Sequence, residues 1–199
     1  MKIAVISDVH GNVELLKRFI DYVDKEGIKT ILNLGDMIGG DSSLEALRII
    51  MNDDRFISVR GNHDSSLFFE DEMTTEEKLW IETLPLNKIV EIDKIKFLMV
   101  HSRINSNTDI PLLFNNKSLS EFLKDYDGDY DYVLFGHTHY QCLLNFYEGK
   151  IMINPGSLGL SYDEKISFCI IDIDNGKIST KFIKIGDNKN KVIIELFEK

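Results

Sequence analysis

The five histidines of this 199-residue chain all lie in or beside short motifs of aspartate, asparagine and glycine. In chain order the motifs are Asp8-Val9-His10-Gly11-Asn12, Gly35-Asp36, Gly61-Asn62-His63-Asp64, the isolated His101, and Gly136-His137-Thr138-His139. Neutral imidazole and carboxylate oxygen are ligands of hard and borderline divalent metals. A single histidine is more often an ordinary core or surface residue, but five of five in this setting indicate a metalloenzyme.

Each motif follows a short apolar run that is typical of a buried strand. The runs cover residues 2–7, 30–34, 56–59, 96–100 and 132–135. Helical patterns separate the first three runs, which predicts βαβ units and a largely parallel sheet. Ligands gather beyond the carboxyl ends of the strands in such sheets, so the motifs are expected to form one composite site.

The two intervening helices are predicted from their caps. Asn12 is expected to cap a helix that runs to about Lys25. Ser42 and Glu45 match a capping box, which predicts a second helix through Ile50.

The second half of the chain is richer in strand patterns. These cover residues 88–91, 94–100, 150–153, 168–173, 177–183 and 192–197. Asn175-Gly176 favours a type I′ hairpin turn, and residues 192–197 are expected to add an edge strand. Residues 102–119, rich in Asn and Ser, are either a mobile loop near the site or a plain surface connection.

Seven side chains of the motifs could bind metal, too many for one tetrahedral or octahedral ion that keeps open positions. Asp8 and His10 are two residues apart, which on extended chain points both side chains the same way, as for His137 and His139. Asp36 alone follows its strand and suits a carboxylate that bridges two ions. Such a pair, roughly 3.5–4 Å apart, activates water and stabilises an in-line displacement at phosphorus.

The ordered set Asp-x-His, Gly-Asp, Gly-Asn-His-Asp, His and Gly-His-x-His spans residues 8–139 and resembles the calcineurin-like metallophosphoesterase superfamily. The segment from Asn154 to Gly159 is similar to the small bacterial and archaeal phosphodiesterase branch. The resemblance implies one domain over residues 1–199 with an α/β (α+β) fold. That fold is a four-layer α/β/β/α sandwich of two mixed β-sheets flanked by helices, with a dinuclear metal site at the carboxyl ends of the strands.

The resemblance also implies a role for each motif residue. The metal ligands would be Asp8, His10 and His139 for the first ion, Asn62, His101 and His137 for the second, and Asp36 as the bridge. His63 would be catalytic rather than a ligand, facing a phosphoryl oxygen or the leaving group as general acid or charge stabiliser. Asn62 and His63 would contact the substrate.

The implied activity is metal-dependent hydrolysis of a small phosphoester, with a phosphodiester expected, through in-line attack by a metal-bound hydroxide. The alternatives are a phosphomonoesterase and a catalytically inactive binding scaffold. The scaffold is disfavoured because every ligand and His63 are present. The mixed nitrogen and oxygen ligands admit Mn, Fe, Zn, Co or Ni, and two Mn ions are expected.

Several departures from the superfamily pattern bear on the substrate. Gly35-Asp36 precedes Met37-Ile38 rather than the Asp-Arg pair of the protein phosphatases, which disfavours a phosphoprotein. Asp64 either orients His63 in place of the missing carboxylate or caps a following helix. Arg60 is expected in a structural ion pair rather than in a catalytic role, and Arg103 is expected either at the surface or in contact with the substrate phosphate.

Composition limits the partners. The net charge of -10 argues against binding long nucleic acid, and hence against a nuclease. The sequence carries no signal-peptide pattern and no apolar run near the roughly 20 residues that span a bilayer, so a cytoplasmic protein without membrane attachment is expected. Cys142 and Cys169 are expected as buried free thiols, and Phe68-Phe69 and Trp80 as core or lid packing. The oligomeric state stays open, with a homodimer as one alternative.

Overall fold

The structure is a computed structural model that describes residues 1–69, 71–109, 124–145, 150–162 and 165–186, and the backbone of residues 191–196. In chain order its elements are β1 (Lys2–Ile6), α1 (Val13–Lys25), β2 (Ile31–Asn33), α2 (Ser43–Met51), β3 (Phe56–Ser58), a 3-10 turn (Ser66–Phe69), α3 (Thr75–Thr83), β4 (Asn87–Ile92), β5 (Ile95–Val100), β6 (Tyr132–Leu134), β7 (Gln141–Asn145), β8 (Ile151–Pro155), β9 (Ile166–Asp174), β10 (Lys177–Ile185) and β11 (Lys191–Leu196).

Two mixed sheets contain all of these strands. The first sheet has the order β11-β10-β9-β1-β2-β3, and the second has the order β4-β5-β6-β8-β7. Strands β1, β2 and β3 are parallel and are joined through α1 and α2, so the predicted βαβ units are confirmed. The second sheet likewise has a parallel centre, formed by β5, β6 and β8. The carboxyl ends of both parallel sets carry the sequence motifs.

Strand β1 explains how the two sheets and the helices pack together. Its side chains alternate between two faces, as the pleat of a strand requires. Ala4 and Ile6 pack into the core beneath α1 and α2, whereas Ile3 and Val5 pack into a second core between the sheets. All four are completely buried, so the short apolar run is covered on both faces.

The outer face of the second sheet has a third, smaller core. Leu98, Val100 and Val133 project from this face and pack with Tyr126 and Tyr130 of the preceding connection. The prediction of an α/β fold built from two mixed sheets flanked by helical layers is confirmed. Among the described residues, no helix has both the length and the apolar character needed to cross a bilayer.

The caps of the first two helices give one correct and one wrong prediction. Asn12 caps α1, since its side chain accepts a hydrogen bond of 3.2 Å from the backbone N–H of Leu15. The capping box predicted at Ser42 is wrong, because Ser42 makes no side-chain capping bond. The next residue, Ser43, uses its Oγ to accept the N–H groups of Gly39 and Gly40 at 2.9 and 3.0 Å. A glycine turn before the helix therefore takes the place of the capping box.

The sequence interpretation missed α3 and β7. Helix α3 has its own signal, a capping box in which Thr74 and Glu77 bond each other's backbone N–H at 3.2 and 2.8 Å. Strand β7 pairs antiparallel with β8 along its whole length. Its apolar and polar residues alternate only weakly, and it begins just after the Gly-His-x-His motif, so the sequence pattern does not indicate a strand there.

The predicted hairpin between β9 and β10 is confirmed. Asn175 and Gly176 both have positive φ, 49° and 79°, as a type I′ turn requires. Strand β11 is the predicted edge strand, paired antiparallel with β10, and residue 197 lies outside the described residues.

Candidate metal centre

The motif residues lie just beyond the carboxyl ends of their strands, and the loops that carry them are bonded to one another. Asp8 and His10 donate their backbone N–H to the carbonyls of Gly35 and Asp36, each at 2.9 Å. In the second sheet, the N–H of Gly136 bonds the carbonyl of His101 at 2.8 Å. The loops therefore extend the strand pairing past the strands and hold their side chains in fixed positions.

These loops have an unusual backbone. Five motif residues have left-handed φ values between 46° and 65°, namely Asp8, His10, Asp36, His137 and His139. Non-glycine residues seldom adopt this conformation, and they persist in it where surrounding contacts enforce it, often at functional sites. The expectation that each Asp-x-His or His-x-His pair is extended is therefore wrong. The paired side chains still converge, but through a left-handed turn at each residue.

Asp8 joins the two sheets and aims one free oxygen into the site. Its Oδ2 accepts the backbone N–H of His137 at 3.1 Å. Its Oδ1 is buried and accepts no hydrogen bond of good geometry, but lies 3.3 Å from Nε2 of His139 and 3.8 Å from Nε2 of His10. The two histidine nitrogens are only 3.2 Å apart. Three atoms that could bind a metal ion thus converge on one point.

Asp36 divides its two oxygens in the same way. Its Oδ1 accepts the backbone N–H of His63 at 2.8 Å. Its Oδ2 lies 3.8 Å from Nε2 of His10 on one side and 3.4 Å from Nε2 of His101 on the other. Asp36 therefore stands between two groups of imidazoles, where a bridging carboxylate would be.

His101 is the centre of the second group. Its Nε2 lies 3.0 Å from Oδ1 of Asn62 and 3.3 Å from Nδ1 of His137. Its Nδ1 lies 2.8 Å from the carbonyl oxygen of Leu34, to which it can only donate. When the ring is neutral, that hydrogen bond keeps the proton on Nδ1 and leaves the lone pair on Nε2, the arrangement that orients metal-binding histidines.

The residues present fit divalent metal ions. A buried carboxylate oxygen without a hydrogen-bond donor, such as Oδ1 of Asp8, is unfavourable by itself. A cation beside it supplies the missing partner. Three overlapping groups have the required spacing: Asp8, His10 and His139; His10, Asp36 and His63; Asp36, His101 and His137. The structure therefore brings together all seven predicted ligands, with His63 beside them.

The charges in the site favour a proton on His101 when metal is absent. Burial alone would lower the pKa of His101, but the hydrogen bond and charge of Asp36 outweigh it and raise that pKa to about 9. Burial would likewise raise the pKa of Asp36, yet His101 holds it below its ordinary value. Burial lowers the pKa of His10 and of His137, whereas at His139 the Asp8 carboxylate outweighs burial and raises the pKa. A metal ion that binds His101 would therefore displace this proton.

At two positions in these loops only glycine fits, because atoms of neighbouring loops lie too close for a side chain. A Cβ on Gly61 would lie 2.1 Å from Oδ1 of Asp36 and 2.3 Å from its backbone nitrogen. A Cβ on Gly136 would lie 1.9 Å from Oγ of Ser7. Both distances are far inside van der Waals contact, so any larger residue would displace the loops that carry the carboxylates.

Comparison with known protein families agrees with a metal centre at this position. Residues 1–176 match the calcineurin-like phosphoesterase superfamily domain. The chain belongs to the calcineurin-like phosphoesterase superfamily. It is 31% identical over 205 residues to an uncharacterized protein of Methanocaldococcus jannaschii, with 88% of this chain and 84% of that protein covered. It is 26% identical over 163 residues to a phosphodiesterase of the same organism, with 78% and 83% covered.

A solved structure supports the fold. A metallophosphoesterase from Sphaerobacter thermophilus superposes with a TM-score of 0.71 at 23% identity, and the match covers 93% of this chain and 88% of that one. The family and its relatives named phosphodiesterase make this chain a phosphoric ester hydrolase.

Asp64 has a role in this phosphoesterase that the sequence interpretation did not foresee. Both alternatives considered for it, orienting His63 and capping a helix, are wrong. Its carboxylate is buried and accepts four backbone N–H groups at 2.8–3.3 Å, from Asp36, Met37, Ile38 and Gly61. Burial, and then the charge of Asp36, raise its pKa to about 6. Asp64 therefore ties the loop after β2 to the loop after β3.

Asn154 is a second supporting residue, and its motif appeared in the sequence without an assigned role. Its buried side-chain amide donates to the carbonyl of Gly136 at 2.8 Å and to Oγ1 of Thr138 at 3.0 Å. Ser157, three residues later, donates its hydroxyl to the carbonyl of Asp8 at 2.8 Å. This segment therefore holds the Gly-His-x-His loop and the Asp-x-His loop in place.

The two arginines next to the motifs are engaged in ion pairs. Arg60 pairs with Glu82 at 3.0 Å, as predicted. Arg103 is buried and pairs with Asp125, so its predicted place at the surface is wrong. It belongs to the segment of residues 102–109, where Asn107 donates to the carbonyl of Gly61 at 2.9 Å. Residues 110–119 of the possible loop or lid lie outside the described residues.

The two cysteines, Phe68, Phe69 and Trp80 differ in how deeply they are buried. Cys169 is a buried free thiol, whereas Cys142 is only half-buried. Phe69 and Trp80 pack against the helical core as predicted. Phe68 is not in the core, since 64% of its surface is exposed, and lid packing stays a prediction for it.

Asp64→Asn should weaken metal binding roughly 10- to 100-fold, the usual effect of removing a residue that orients ligands. The amide keeps the volume but cannot accept all four N–H groups, so the Asp36 loop loses its fixed position. The change is measured by calorimetric titration of the metal-free protein with Mn²⁺. Asp71→Asn, at an exposed carboxylate, is the control. Unchanged affinity in a folded Asp64→Asn variant would contradict this role.

The metal-free protein should lose stability as pH rises from 6.5 to about 9. The folded-state pKa of His101 lies above its ordinary value of 6.5, so its contribution is complete below pH 6.5 and disappears as pH rises through about 9. The loss should be on the order of 3 kcal/mol. Urea unfolding measures it, with Mn-loaded protein as control, since a ligating imidazole carries no proton to lose. A flat or rising profile for the metal-free protein would refute the assignment.

Proposed function

We propose that this phosphoesterase hydrolyses a small phosphodiester at a dinuclear centre. One observation carries the proposal. Oδ2 of Asp36 lies 3.8 Å from Nε2 of His10 and 3.4 Å from Nε2 of His101. Each imidazole belongs to its own group of donors, so a shared carboxylate lies between two candidate ion positions.

The proposed ligand sets follow the two groups. Asp8, His10 and His139 would hold one ion, and Asn62, His101 and His137 the other, with Asp36 common to both. Bound ions would supply an activated water molecule as nucleophile and would neutralise charge on the phosphoryl oxygens. Mn is the proposed metal, with Fe, Zn, Co and Ni as alternatives for the same nitrogen and oxygen donors.

His63 is proposed as the general acid. Its backbone N–H is fixed by Asp36, and its ring stands edge-on to that of His10 with centroids 5.0 Å apart. Unlike the proposed ligands that surround it, its side chain is exposed toward solvent. In the proposed step a bond forms between phosphorus and the water oxygen, the bond to the leaving oxygen breaks, and His63 donates a proton to that oxygen. Asn62 and His63 would both contact the phosphoryl group.

The surroundings favour a diester over a monoester. A monoester dianion is best bound by an arginine fork, but Arg60 and Arg103 are held by Glu82 and Asp125. Two pockets also open beside the site, enough for the two substituents of a diester. One is lined by His10, Glu14, Asp41 and their neighbours, and the other by His63, Phe68 and their neighbours.

The expected partner is therefore a small phosphodiester. A net charge of -10 does not provide the basic surface that long nucleic acid requires. A cytoplasmic location is part of the same proposal.

The activity is tested with bis(4-nitrophenyl) phosphate and 4-nitrophenyl phosphate. Metal-stripped protein should be inactive, and added Mn²⁺ should restore hydrolysis with the diester turned over faster than the monoester. Release of 4-nitrophenol is the measurement. Fe, Zn, Co and Ni added singly test the choice of metal. Absence of turnover in protein that holds two ions would refute the proposed function, and preference for the monoester would make it a phosphatase.

His63→Ala should lower kcat by about 10²- to 10⁴-fold, the range for loss of a general acid, while both ions stay bound. Metal content is measured by elemental analysis of the purified variant. Loss of one ion in His63→Ala would make His63 a ligand instead. His101→Ala is the comparison variant, and it should lose metal as well as activity.

A further inference from the structure

The two pockets beside the metal centre differ in chemistry. They share only Gly39 and Gly40, the turn after the Asp36 loop, so this turn forms the ridge between them. Gly39 has a φ of +135°, and a Cβ there would lie 2.7 Å from Nδ1 of His10 and 3.5 Å from Nδ1 of His63. The turn therefore packs directly against one histidine from each pocket.

The pocket on the His10 side is the more polar of the two. It is lined by the first turn of α1, by the exposed carboxylates of Glu14 and Asp41, and by Gly159 and Leu160. Carboxylates and backbone N–H groups bind hydroxyl or cationic groups, and they offer little to an aromatic ring.

The pocket on the His63 side is apolar. Its volume is about 360 Å³, and Phe68, Phe69 and His63 line it together with the two glycines. This volume is within the roughly 300–1,000 Å³ of small-molecule sites. Phe69 is anchored in the helical core, whereas Phe68 keeps 64% of its surface exposed. When an apolar ligand enters, an exposed phenylalanine that lines the pocket is removed from water, which favours binding.

We infer that the His63–Phe68–Phe69 pocket binds an apolar ring on the leaving group of the substrate. The inference rests on the proposed function, because His63 would protonate the leaving oxygen and so places the leaving group on its own side of the ridge. Phe68 then acts as a specificity residue that covers the ring. The second substituent of the diester lies across the ridge, among polar groups.

Tyr140 and Tyr162 form a second exposed aromatic group near the metal centre. They are 59% and 70% exposed beside His139, but their rings stack on each other at 4.7 Å. Neither lines either of the two pockets. The pair therefore serves as the alternative that the experiment must separate from Phe68.

The test compares phenylphosphonate with methylphosphonate, which differ only in the ring and which cannot be hydrolysed. Binding to Mn-loaded protein is measured by calorimetry. Wild-type protein should bind phenylphosphonate about tenfold more tightly. Phe68→Ala should reduce this preference to under about twofold while the affinity for methylphosphonate stays the same. Circular dichroism checks that the exposed substitution leaves the fold intact.

Leu67→Ala is the matched control, because Leu67 is the exposed neighbour of Phe68 in the same turn and lines neither of the two pockets. It should keep the tenfold preference. The inference is overturned if wild-type protein shows no preference, if Phe68→Ala keeps it, or if Tyr162→Ala removes it instead. Failure of the proposed function gives a different result. The protein would then bind phosphonates with the Phe68-dependent preference but would hydrolyse no ester, so the ring pocket would stand and the assigned activity would not. If neither phosphonate binds, the inference is overturned, and hydrolysis of bis(4-nitrophenyl) phosphate decides the proposed function separately.

Discussion

The structure of the site depends on two buried carboxylates, in each of which the two oxygens have different partners. Asp8 and Asp36 each use one oxygen to accept a backbone N–H from a distant loop and leave the other oxygen facing imidazole nitrogens. A buried charge is tolerated only when it is paired and hydrogen-bonded. The same contacts that satisfy the carboxylates therefore join the loops and aim the free oxygens at one place.

This arrangement explains the strained backbone around it. Left-handed φ at a non-glycine residue carries a cost of order 1–3 kcal/mol and requires enforcement by neighbouring contacts. Here the neighbours are the loop-to-loop hydrogen bonds, the four N–H groups gathered by Asp64, and the amide of Asn154. Rigid support of this kind holds ligands in position before a metal arrives. The centre is thus preorganised by residues that do not themselves face it.

The position of the site also sets what can bind there. It lies at the carboxyl ends of the parallel strands of both sheets, so loops from both sheets surround it. The Gly39–Gly40 turn separates a more polar pocket from an apolar one. Chemistry shared with the superfamily is therefore combined with surroundings that are particular to this chain.

The sequence by itself determined most of the strands, the parallel βαβ units and the seven candidate ligands, because buried strands are short apolar runs and parallel strand ends must meet at one edge. It also determined the family. Only the tertiary structure decided the left-handed turns, the oxygen that each carboxylate leaves free, the role of Asp64, the burial of Arg103 and the pocket beside Phe68. Each of these depends on contacts between residues far apart in the chain, such as Asp8 and His137, which are separated by 129 positions. Local patterns do not encode such contacts, so propensity and spacing could predict which residues gather but not how they support one another.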